Sequence, residues 1–119
     1  MTSTVIEKAK IEDILDLADK VSDNWSLCHL FEGTPRAFEA EMMVAQTLHA
    51  CKLNHKSYGV AFSWRGNVEH SGGGGLVDNG IAYGMLLERE YFVEEEREGR
   101  TIILMTQRLV DLLKGHLAK

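Results

Sequence analysis

The sequence has few residues of several types that mark specialised protein classes. Among its 119 residues are two cysteines and one proline, and no apolar run approaches the ~20 residues that a helix needs to cross a bilayer. Two cysteines allow at most one disulfide, so we expect reduced thiols at Cys28 and Cys51. The first residues also lack a basic region followed by an apolar one. These absences predict an unprocessed cytoplasmic protein with no membrane segment.

Positive charge is also scarce. The chain has 13 Lys and Arg against 18 Asp and Glu, which gives a formal net charge of −5. This balance provides no general attraction for phosphate backbones, so DNA binding would need a local basic surface. The apolar fraction of 45% and the charged fraction of 26% are ordinary for a folded protein. At this length we expect residues 1–119 to form one domain around one core.

Histidine and cysteine occur at spacings that do not suit a metal site. The candidates are Cys28, His29, His49, Cys51 and His55. On a helix, residues 49 and 51 point about 200° apart, and adjacent residues such as 28 and 29 rarely converge on one ion. Cys51 lies near the C-terminal end of a predicted helix, where the dipole disfavours a thiolate. Cys28 has His29 beside it, but adjacent side chains rarely point together. We therefore expect no metal, no other cofactor and no catalytic cysteine.

The first half of the chain predicts two helices and one strand. Apolar residues at helical spacing predict a surface helix from Ile6 to about Val21 and a central helix from Pro35 to about Leu53. Thr34 is the expected N-cap of the second helix, with Pro35 at its first position. Ser57 to Trp64 alternates large and small residues, which predicts a strand.

The second half of the chain starts at a glycine tract. The run from Ser71 to Gly75 predicts a flexible loop or an engineered joint. Leu76 to Glu90 allows either a helix, which we favour, or a hairpin that turns at residues 78–80. Tyr91 to Glu95 and Thr101 to Met105 predict two strands around a turn, and Thr106 is the expected cap of a last helix. The predicted fold is a single small α+β domain with three to four helices and a small antiparallel sheet.

Residues 76–117 resemble the second half of a winged-helix domain: a helix, a two-strand wing at Tyr91 to Met105, and a closing helix. The resemblance implies that the helix before the wing enters the major groove of DNA, with basic side chains on the helix and the wing making contacts. Those residues would be Arg89, Arg97 and Arg100, and Arg65 and Lys56 would extend the surface. The sequence departs from the family because the wing also carries four glutamates, and because residues 57–75 separate helices that should be consecutive.

A second interpretation starts from His70, the glycine tract and Asp78. This segment loosely resembles the part of hot-dog-fold thioesterases in which a His-Gly-Gly turn leads into a central helix with an acidic residue. The resemblance implies that Asp78 would activate water at the helix N-terminus, while the N–H groups of Gly73, Gly74 and Gly75 polarise a thioester carbonyl. That fold has several long strands after the helix, whereas only two short ones are predicted here.

We therefore expect a non-enzymatic regulatory or adaptor protein that acts through protein contact or as a DNA-binding dimer. The last helix has an apolar stripe that is typical of a core face and is also the predicted dimer surface; it contains Leu109, Leu112, Leu113 and Leu117. The acidic hairpin tip is typical of a solvated turn, and it is also the predicted surface for a basic protein partner. The alternative function is a small enzyme or ligand-binding protein that uses His70, residues 73–75 and Asp78.

Overall fold

A computed structural model describes residues 6–21, 24–54, 58–60 and 73–118 of the chain. The helices are α1 (Ile11–Lys20), α2 (Ala37–Asn54), α3 (Gly73–Glu88) and α4 (Gln107–Leu117), and the strands are β1 (Tyr58–Val60), β2 (Phe92–Arg97) and β3 (Arg100–Met105). These elements confirm the predicted small α+β domain with an antiparallel sheet. Among the helices described, none combines the length and apolarity that a membrane span requires.

The three strands form one antiparallel sheet in the order β1-β3-β2. The register of β2 and β3 pairs Phe92 with Met105 and Arg97 with Arg100, which confirms the predicted hairpin. The two turn residues, Glu98 and Gly99, have φ of 51° and 77°. Positive φ at both central positions matches the right-handed twist of the flanking strands, so this short turn keeps the strands paired.

β1 contains only part of the strand predicted from Ser57 to Trp64. Its residues Tyr58, Gly59 and Val60 pair with Leu104, Ile103 and Ile102. Positions 57 and 61–64 of the prediction lie outside the described residues.

α2 is the central helix, as predicted, because it packs against α1, α3, β1 and a short 3-10 helix at Asn24–Leu27. Its buried apolar side chains are Ala40, Met43, Val44, Ala45, Leu48 and Cys51. The predicted start of α2 is wrong, because the Thr34 hydroxyl donates to the carbonyl oxygen of Phe31 at 2.7 Å and Arg36 has a φ of 58°. A residue with left-handed backbone cannot belong to a right-handed helix, so the helix cannot include position 36 and α2 begins at Ala37.

α1 begins at Ile11 rather than Ile6 because the preceding residues pair with the end of β3. The N–H of Ala9 donates to the carbonyl oxygen of Met105 at 2.9 Å, and the N–H of Gln107 donates to the carbonyl oxygen of Glu7 at 2.8 Å. This pairing takes the N-terminal segment away from the helix and fixes it beside the start of α4.

α3 confirms the helical interpretation of Leu76 to Glu90, and the alternative hairpin is wrong. The helix begins at Gly73, so Gly73, Gly74 and Gly75 are helical and the loop predicted for them is wrong. Ser71 and Gly72, the other residues of that predicted loop, lie outside the described residues. At its other end, the N–H of Tyr91 donates to the carbonyl oxygen of Leu86 at 2.9 Å. Glu90, just after the helix, has a left-handed backbone with a φ of 62°. Glycine is the usual residue with this conformation at the end of a helix.

Candidate functional site

Two of the predicted DNA-contact residues lie together at the hairpin tip. Arg97 and Arg100 are partners in the register of β2 and β3, on either side of the turn. Directly opposed residues of an antiparallel pair have Cα atoms about 4.5 to 5.5 Å apart. The same hairpin also carries the exposed residues Glu94, Glu96 and Glu98, so the two basic positions are set among acidic ones.

Arg89 is exposed, but it lies at the other end of the hairpin. It follows the last residue of α3 and comes just before Phe92, the first residue of β2. An extended strand covers roughly 17 Å between Phe92 and Arg97. The predicted basic surface is therefore divided between two places. Lys56 and Arg65, its other predicted members, lie outside the described residues.

The exposed side of α3 lacks charge over two turns. From Gly80 to Leu87 the sequence has no Asp, Glu, Lys or Arg, yet Gly80, Ile81 and Gly84 are exposed. Ala82 and Leu86 on the opposite side are fully buried. In the resemblance to winged-helix domains this helix would contact DNA, but these two turns offer no basic side chain to a phosphate.

Gly80 and Gly84 are one helical turn apart, and no contact among the described residues requires either of them to be glycine. A Cβ added at either position would have no atom within 4 Å. Glycine in a helix interior is about 1 kcal/mol less favourable than alanine, so each position lowers stability without relieving a clash. Ile81 lies between the two glycines in sequence, and its side chain is 43% exposed. We name Gly80, Ile81 and Gly84 the α3 surface; its two glycines have no Cβ atoms and so permit close approach of another backbone.

The apolar stripe of α4 covers the chain's own core. Leu109 and Leu113 are fully buried, while Leu112 and Leu117 are partly buried against the core. The helix also packs on α1, with Lys114 Nζ 3.5 Å from Asp13 Oδ1. Within the predicted dimer surface on this helix, only Leu112 and Leu117 keep solvent-exposed area that a second copy could contact.

The residues of the thioesterase-like interpretation lie at the start of α3. Gly73, Gly74 and Gly75 form its first turn, and Asp78 lies in the second. The first N–H groups of a helix have no acceptor within the helix, so backbone donors are present where that interpretation needs them. The other two groups of that interpretation, His70 and the side chain of Asp78, lie outside the described residues.

Both cysteines are free thiols, and they differ in burial. Cys28 is partly buried, whereas Cys51 is fully buried on α2. Burial raises the pKa of the Cys51 thiol to about 11, so it stays protonated at neutral pH and is a poor nucleophile. Among the residues that the structure describes, no group of three or more His, Cys, Asp or Glu side chains could hold a metal ion.

Glu41 is a buried carboxylate that the sequence interpretation missed. It is 5% exposed, and its Oε2 accepts a hydrogen bond from the N–H of Phe31 at 3.0 Å. The ring of Phe31 lies 5.6 Å from that of Tyr91, so this bond holds the segment before α2 against the core. Glu41 falls four residues after Ala37 and three before Val44, within the apolar stripe, and that spacing was the available signal.

An open pocket of about 320 Å³ lies where the N-terminal segment, the end of α3 and the start of α4 meet. Its lining residues are Ile6, Glu7, Glu90, Thr106, Gln107, Arg108 and Asp111. Gln107 Nε2 donates to Asp111 Oδ1 at 3.0 Å, and the guanidinium carbon of Arg108 lies 5.8 Å from the centre of the Tyr91 ring. Three carboxylates against one guanidinium make the pocket unfavourable for an anion.

Comparisons with protein-family models, curated proteins and solved structures give no match for this chain. The function is therefore inferred from the geometry of the described residues. In that geometry the α3 surface stands apart, because its two glycines have no structural reason within the part of the chain that the structure describes.

Proposed function

We propose that this chain is a non-enzymatic regulatory or adaptor protein that acts through protein contact, and that the α3 surface is where it binds. The glycine pair is the observation that carries this proposal. Gly80 and Gly84 lower the stability of α3 in the chain alone, although alanine fits at both positions. A partner backbone packed close to the helix would gain contact area only while the Cβ atoms are absent.

A second copy of the chain is the partner that we propose. Two molecules with a net charge of −5 repel each other over most of their surfaces. The three residues of the α3 surface are uncharged, so they place no like charges in contact when two copies meet there. Ile81 supplies exposed apolar area at the edge of this surface, which favours burial in an interface. The proposed contact is therefore symmetric, with α3 of one copy against α3 of the other.

The test is the mass of the protein in solution at rising concentration. Ile81→Glu places a charge on the α3 surface beside the two glycines, and the exposed position of residue 81 should leave the fold intact. Leu53→Glu, at an 85% exposed residue on α2, is the matched control. In analytical ultracentrifugation we expect the wild type and Leu53→Glu to dimerise and Ile81→Glu to remain monomeric. A wild type that stays monomeric to about millimolar concentration, where binding is worth only about 4 kcal/mol, would overturn the proposal.

DNA binding is the second candidate, and the hairpin supports it. The register places Arg97 opposite Arg100 at the tip, which is where the resemblance to winged-helix domains implies contact. The order of α3, hairpin and α4 also follows that resemblance. A dimer would present two such tips to one duplex. The exposed glutamates of the hairpin and the uncharged side of α3 weigh against this candidate.

A further inference from the structure

We draw no further inference here: the strongest candidate, the open pocket between the N-terminal segment, Glu90 and the first turn of α4, combines a helix N-terminus with a cluster of carboxylates, and nothing in the described residues points independently to a ligand.

Discussion

The hydroxyl of Thr106 donates a hydrogen bond to the carbonyl oxygen of Glu90, with 2.6 Å between the two oxygens. The same hydroxyl accepts the N–H of Leu109 at 3.2 Å and so caps α4. Thr106 is fully buried, which makes these bonds costly to lose. The Thr106 side chain thus joins the end of α3 to the start of α4. This junction holds α3, which carries the α3 surface, in position relative to α4.

Replacing Thr106 with valine tests this junction. Valine keeps the branched shape but removes the hydroxyl, so α4 loses its cap and the carbonyl oxygen of Glu90 loses a buried donor. We expect the free energy of unfolding to fall by about 2 kcal/mol, measured by urea denaturation. Thr106→Ser retains the hydroxyl and should lose less. Equal stability of the valine variant and the wild type would show that the hydroxyl does not hold the two helices together.

The pKa of Cys51 predicts a loss of stability at alkaline pH. The folded state raises this pKa from 9.0 to about 11, so the folded chain keeps a proton that the unfolded chain releases. The stabilisation is complete below pH 9 and is lost as the pH rises toward 11, with a slope of at most about 1.4 kcal/mol per pH unit. Urea unfolding from pH 8 to 10.5 measures the slope. Cys51→Ala is the control, because it lacks this group and retains all others; identical slopes for the two proteins would contradict the prediction.

The hairpin arginines give the prediction for DNA. If Arg97 and Arg100 contact phosphates, replacing both with alanine should weaken binding to a mixed-sequence duplex and reduce the slope of log K against log salt by about two. Gel-shift titrations at several salt concentrations measure both quantities. Replacing both with lysine keeps the charge and should retain most of the slope. An unchanged slope in the alanine variant would remove the hairpin tip from the DNA interface.

The sequence pattern predicted the second half of the fold better than the connections of the first half. The alternation along the two strands and the cap at Thr106 are local signals, and they identified the hairpin and α4. The start of α2 depends on a left-handed backbone at Arg36, and the start of α1 depends on pairing with β3. The first is a backbone conformation and the second a tertiary contact, and apolar spacing reports neither. The glycines at positions 73–75 are likewise helical against their propensity.

The candidate site was harder to predict than the fold. The residue types alone do not identify Gly80 and Gly84 as a surface, because periodicity does not show which side of α3 is exposed. That side is set by the burial of Ala82 and Leu86 on the opposite one.

The most direct test of the central claim replaces Gly80 and Gly84 with alanine and measures stability and self-association together. Gly115→Ala is the control, because Gly115 is also exposed on a helix with no atom within 4 Å of an added Cβ. Each glycine-to-alanine change should raise the free energy of unfolding of the monomer by about 0.5 to 1 kcal/mol. We predict that the changes at Gly80 and Gly84 also weaken dimerisation about tenfold or more, whereas Gly115→Ala leaves it unchanged. Variants at Gly80 and Gly84 that are more stable and still dimerise like the wild type would contradict the account.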